Sequence, residues 1–121
     1  MIIKILEEQD LDLVRELPKK VKETIKENVQ ILVEEYGEVR TENDLGGYIA
    51  VVDEEGLKEL KQQQLKGIIP EYIDEIEGDE FEYISALFLC SSDFSIVVVC
   101  RKELKNLIEC EIGRASCRER V

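Results

Sequence analysis

"FEYISALFLCSSDFSIVVVC", residues Phe81 to Cys100, decides how this chain is read. Two runs rich in β-branched and aromatic residues flank the polar turn Ser91-Ser92-Asp93. The segment therefore reads as two antiparallel strands, 81–90 and 94–100, closed into a hairpin. A loop over 91–93 pairs Cys90 with Phe94, Phe88 with Ile96 and Ile84 with Cys100. One face then carries Ile84, Ala86, Phe88, Phe94, Ile96 and Val98, and the other Leu87, Leu89, Val97 and Val99. A sheet with one wet face alternates apolar with polar residues, and these strands barely do. Each aliphatic buried is worth roughly 1.5–3 kcal/mol, and left bare they form a patch of the kind that marks an interface. Both faces need a cover: helices of this chain, or a second molecule.

Outward from the hairpin, "EYIDEIE" (71–77) alternates and leads through Gly78-Asp79, which places a third antiparallel strand at 72–77. "YIAVV" (48–52) reads as a buried strand, and "DEEGLKELKQQQL" (53–65) as a helix capped by Asp53. "MIIKIL" at the start is short and β-branched, a further strand. Asp10 is placed to cap a short helix through "LDLVREL". The clearest helical pattern runs from Lys19 to Tyr36, where Val21, Ile25, Val29, Leu32, Val33 and Tyr36 form one stripe. Gly37 follows as a left-handed C-cap, "GEVRTENDLGG" reads as a loop, and "RKELKNLI" (101–108) begins a last helix. These elements predict a two-layer α+β domain. An antiparallel sheet of about four strands, with hairpins at 72–100, carries the long amphipathic helix 19–36 on one face.

The tail does not share this character. Three of the chain's arginines (Arg114, Arg118, Arg120) fall in its last positions, and "EIGRASCRERV" (111–121) resembles a translated sequencing adapter over its whole length. That resemblance implies a sequence scar outside the fold, so the domain is taken as residues 1–110.

The chain has 28 acidic and 16 basic residues, a net charge of −12. Residues 111–121 hold three bases and two acids, which leaves 13 against 26 and a charge of −13 for residues 1–110. Such a surface repels nucleic acid and anionic membrane. Histidine is absent, which removes the commonest general base and transition-metal ligand together. Cys90, Cys100 and Cys110 form no C-x-x-C pair, so no zinc or disulfide framework follows, and buried free thiols are expected. Cys90 and Cys100 lie too far apart along the hairpin to bridge. "MIIKILEE" is too short an apolar run for a signal core or a membrane span, so a reducing cytoplasm is expected. No cofactor is implied.

Two constellations remain as candidate interaction residues. The stretch "RTENDLGGY" gathers Arg40, Glu42, Asp44 and Tyr48 around Gly46-Gly47. It can present a carboxylate beside an opened backbone, or simply make a turn whose glycines supply positive φ. The second is a charge block without Lys or Arg from Gly67 to Cys100, centred on Asp74, Glu75, Glu77, Asp79 and Glu80. Its order of oxygen ligands is not that of an EF-hand loop. It reads as a solvated edge that prevents strand pairing, a docking patch for a basic protein, or a mimic of the nucleic-acid backbone. No carboxylate pair is selected by spacing for acid–base work.

"YGEVRTENDLGGYIAVV" and "IIPEYIDEIEGDEFEYISALFLCSSDFSIVVVCRKEL" resemble small uncharacterised acidic proteins of gut-bacterial genomes and their mobile elements. The resemblance covers roughly residues 25–104 and implies a bacterial cytoplasmic setting, with no activity or site residue to carry over. The expectation is a non-enzymatic interaction or regulatory protein, such as an inhibitor or accessory factor, with a protein partner or a second copy of itself. The rivals are a small enzyme that uses the Arg40–Tyr48 loop with a carboxylate base, and a nucleic-acid-mimicking inhibitor.

Overall fold

The computed structural model describes residues 1–14, 16–43, 45–76 and 82–112. β4 (Tyr83–Ser91) and β5 (Phe94–Arg101) form the expected hairpin, with Phe88 opposite Ile96 and Ile84 opposite Cys100. Its tip differs. Ser91, not Cys90, faces Phe94, and Cys90 is the extra residue of a bulge between Leu89 and Ser91. A shorter turn plus one bulged residue offsets the strands as much as the longer loop does, so the pairs below the tip are unchanged.

β3 (Pro70–Glu75) pairs antiparallel with β4 and starts earlier than expected, with a bulge between Pro70 and Tyr72. β1 (Ile2–Ile5) pairs antiparallel with β2 (Tyr48–Val52), and β2 runs parallel to β5. The result is a five-stranded mixed sheet in the order β1-β2-β5-β4-β3. The parallel pair is a correction to the all-antiparallel expectation, and chain reversals explain it. α2 (Glu54–Gln63) carries the chain back along the sheet before β3 begins. β3 therefore runs the same way as β2, and two hairpin reversals give β5 that direction as well.

α1 (Lys19–Asn43) continues past its expected end. Gly37 interrupts it at φ 50 and ψ −131, a conformation open to glycine and not the left-handed cap that was expected. Residues 38–43, read as loop from composition, resume the helix. Of the stripe, Val21, Ile25 and Val29 are buried and Leu32 is partly so, while Val33 and Tyr36 are exposed. The segment after β1 is a 3₁₀ turn, Glu8–Leu13, not a helix begun at Asp10. Asp10 sits inside the turn, and its carboxylate accepts from the amides of Leu6 (2.9 Å) and Glu7 (3.0 Å). Asp53 caps α2 as expected by accepting from Gly56 N at 2.8 Å. It also holds the N-terminal ammonium at 2.5 Å. After a 3₁₀ turn (Lys102–Leu104), α3 runs from Lys105 to Ile112 and so includes the first tail residues. Residues 113–121 lie outside the described residues.

The α+β architecture with α1 on one face of the sheet is the expected one. α2 and α3 add a helical layer on the other. There, Ala86, Phe88, Ile96 and Val98 pack with Leu57, Leu60, Leu65 and Ile108. On the first face, Val21, Ile25 and Val29 pack with Ile5, Ile49, Val51 and Val99.

Candidate functional site

The stretch from Arg40 to Tyr48 does not converge on one point. The end of α1 turns Arg40 inward beside Val29, whose cluster lies on the α1 face. Tyr48 points to the opposite face, where its hydroxyl meets Gln64 Oε1 and its ring meets Phe94 edge-on at 5.9 Å. The Lys4 ammonium lies 4.7 Å from the Tyr48 ring centroid. Burial pushes the Tyr48 phenol above its ordinary pKa, Cys90 adds to the rise, and the bond with Gln64 opposes it. Glu42 is exposed near the end of α1, and Asp44 lies outside the described residues.

The glycine pair joins these regions for structural reasons. Gly46 N donates to the Asp93 carbonyl (2.7 Å), and Ser95 Oγ donates to the Gly46 carbonyl (3.3 Å). Both glycines have positive φ, 79 and 86. A Cβ on Gly47 would stand 1.5 Å from the Ser95 carbonyl oxygen, and one on Gly46 would enter the Tyr36 ring. The pair lets the chain run against β5 beneath Tyr36, which is the turn-forming alternative of the sequence reading.

Arg40 lies instead in a groove between α1 and the 3₁₀ turn. The groove holds about 650 Å³, with Val29, Val33 and Gly37 among its apolar lining and Glu7, Glu8, Glu34 and Glu38 around it. Arg40 is only 3 % exposed, and its Nη2 donates to the Leu6 carbonyl. Its Nε and Nη1 are buried and meet no acceptor. Burial lowers the guanidinium pKa, while the charges of Glu7 and Asp10 raise it in part. An arginine in a protein remains a cation under such opposing shifts. Gln30 Nε2 donates to Glu8 Oε1 at 2.5 Å and so links the two walls. The sequence singled out Arg40, but not this setting. In a chain with so many acids, Glu7, Glu8, Glu34 and Glu38 are indistinguishable until the turn folds against the helix.

The acidic block has only two of its named members among the described residues. Glu75 is half-buried and pairs with Lys102 at 3.0 Å, which ties β3 to the turn after β5. Asp74 is exposed, opposite Ser85. Glu77, Asp79 and Glu80 lie outside the described residues. Asp74 shares its sheet face with Tyr72, and Tyr72 opens a row across all five strands: Tyr72, Leu87, Val97, Ile49, Ile5. α1 buries the Ile49 end of that row and leaves the other end bare. Tyr72 is 44 % and Leu89 45 % exposed, and half-buried Leu87 joins neither core cluster.

Among the described residues, no group of His, Cys, Asp or Glu is arranged to hold a metal ion. No helix among them is long and apolar enough to cross a membrane. Cys90 and Cys100 are free thiols. No protein-family model matches the chain, and no curated protein or solved structure is significantly similar to it.

Proposed function

We propose that this chain is an acidic, non-enzymatic interaction protein that binds a basic protein partner through the uncovered half of its α1-side sheet face. The observation that carries this reading is the apolar surface of Tyr72, Leu87 and Leu89, left bare beside Asp74 at the acidic edge of the sheet. Apolar centres with charged rims are the anatomy of protein interfaces. A second copy of the chain is the weaker occupant. Net charge −12 opposes bringing two such rims together, whereas a basic rim on a different protein is drawn to this one.

The test combines affinity capture with kinetics. The full chain should retain basic proteins from cell extract at low salt and release them at high salt. The double variant Tyr72→Ser/Leu89→Ser should fold and lose them. Once a partner is purified, Asp74→Asn with Glu77→Gln, Asp79→Asn and Glu80→Gln should weaken binding mainly by slowing association. Glu75 is kept in that variant because Lys102 uses it. Affinity unchanged in the charge variant and at both salt levels would leave these acids only the task of keeping the edge of β3 from pairing with other strands. Retention by the Tyr72/Leu89 variant would overturn the surface assignment.

A further inference from the structure

Beyond the partner surface, we infer that the groove between α1 and the 3₁₀ turn binds a zwitterion of the basic amino-acid class, its carboxylate on Arg40 and its cationic group among Glu7, Glu8 and Glu34. The starting point is Arg40. Its Nη2 is fixed to the Leu6 carbonyl, so the guanidinium is already oriented. Nε and Nη1 have no acceptor, although the residue is almost wholly buried. Buried donors without partners are costly, and those of a charged group more so, which leaves a standing demand for acceptor oxygens at this point. Glu7 and Asp10 act on Arg40 through their charge and not by hydrogen bonding to those two nitrogens. Asp10 is already committed to the Leu6 and Glu7 amides.

The surroundings choose among the ligands that carry such oxygens. A simple anion must approach Arg40 past four carboxylates that outnumber it. A simple cation is welcomed by the carboxylates and leaves the Arg40 donors unmet. A ligand with both charges answers both demands. Val33, exposed in the groove, supplies an apolar wall, which suits the methylene stem of a lysine or arginine side chain. The volume of about 650 Å³ admits a free amino acid or the last residues of a peptide. It falls within the roughly 300–1,000 Å³ of small-molecule sites. The two sources share one chemistry, a free carboxylate with a basic side chain.

Calorimetric titration of the full chain tests this with four probes: L-arginine, lysyl-lysine, agmatine and inorganic phosphate. L-Arginine or lysyl-lysine should bind, and which of them does so distinguishes a free amino acid from a peptide end. Agmatine keeps the guanidinium of arginine and lacks its carboxylate, so it should bind about tenfold more weakly or worse. Phosphate should give no heat. Arg40→Gln should abolish the arginine response. Because replacing a buried residue can unfold the chain, Val33→Trp serves as the second variant: it obstructs the groove from an exposed position and should leave thermal melting unchanged. Agmatine binding as tightly as arginine, silence from all four probes, or an unaltered response in Val33→Trp would each overturn the assignment. None of these outcomes depends on the Tyr72–Leu89 surface, so the two proposals stand or fall separately.

Discussion

Phe88 and Leu89 are adjacent in the chain and live in different surroundings, 2 % and 45 % exposed. Phe88 faces α2 and α3, which together close their side of the sheet. Leu89 faces the side of α1, where one helix covers β1, β2 and part of β5 and stops short of the upper part of β3 and β4. Both faces of the hairpin carry apolar residues in sequence, six on the face of Phe88 and four on that of Leu89. The difference lies in how far the helices reach across five strands: two on one side, one on the other.

The largest test of that contrast removes the two side chains in turn. Phe88→Ala should cost about 3–5 kcal/mol, because it empties a closed core. Leu89→Ala should stay within about 0.5 kcal/mol, as at any exposed position away from special contacts. Urea titrations of the two variants measure both. A large and concentration-dependent loss at Leu89 would mean that a second copy covers this face in solution.

Next in size are two glycines. Gly47→Ala drives a Cβ into the Ser95 carbonyl at the seam between β2 and β5, and should cost above about 3 kcal/mol. Gly37→Ala meets nothing within 4 Å and bears only its backbone strain, about 1–3 kcal/mol. If the order of these losses were reversed in denaturant melts, the close approach of the glycine pair to β5 would be wrong.

A smaller effect sharpens the closed face through the cap of its helix. Asp53→Ala should cost about 1 kcal/mol. The N-terminal ammonium, and then the Gly56 amide, hold the Asp53 carboxyl below its ordinary value of 3.8. A depressed folded pKa gives stability that is present above the unfolded value and lost as pH falls through the folded one. Acidification below about pH 4 should therefore destabilise the parent more steeply than Asp53→Ala. Parallel slopes in melts across that range would remove the cap from the account.

The smallest effect is chemical. Burial pushes the Cys100 thiol up to about 12, while Cys90 sits half-buried in the bulge with a lesser rise from the same cause. A raised folded pKa favours the neutral thiol, so its stabilisation is complete below the ordinary value of 9.0 and is lost as pH rises towards about 12. Peptide-resolved alkylation at neutral pH should label Cys90 within the native state and Cys100 only as fast as the chain unfolds. Equal labelling rates would contradict the sealed centre of the α2–α3 face.

Much of the fold is legible in local patterns. The β-branched runs of β4 and β5, the stripe of Val21, Ile25 and Val29, and the Asp53 cap each act over a few residues, and each appears where expected. Even the misread hairpin tip kept its register, because the bulge at Cys90 offsets the shorter turn. The misreadings cluster where a distant contact decides. Residues 38–43 are mostly polar and look like loop, yet they continue α1, and Arg40 among them bonds back to Leu6. Asp10 is a local exception: it looks like the cap of a following helix, and its carboxylate instead accepts from the Leu6 and Glu7 amides just before it.

By itself, then, the sequence determined most of the strands and helices, the need to cover both faces of the hairpin, and a strongly acidic composition. Periodicity and composition are local or additive properties, and a linear chain displays them directly. Only the tertiary structure decided that β2 lies parallel to β5, that α1 leaves Tyr72 and Leu89 bare, and that Arg40 parts company with Tyr48 to lie under four glutamates. Those outcomes depend on where elements far apart in the chain cross one another. Side-chain pattern states which face of an element must be buried, but not which neighbour will bury it or how far that neighbour extends.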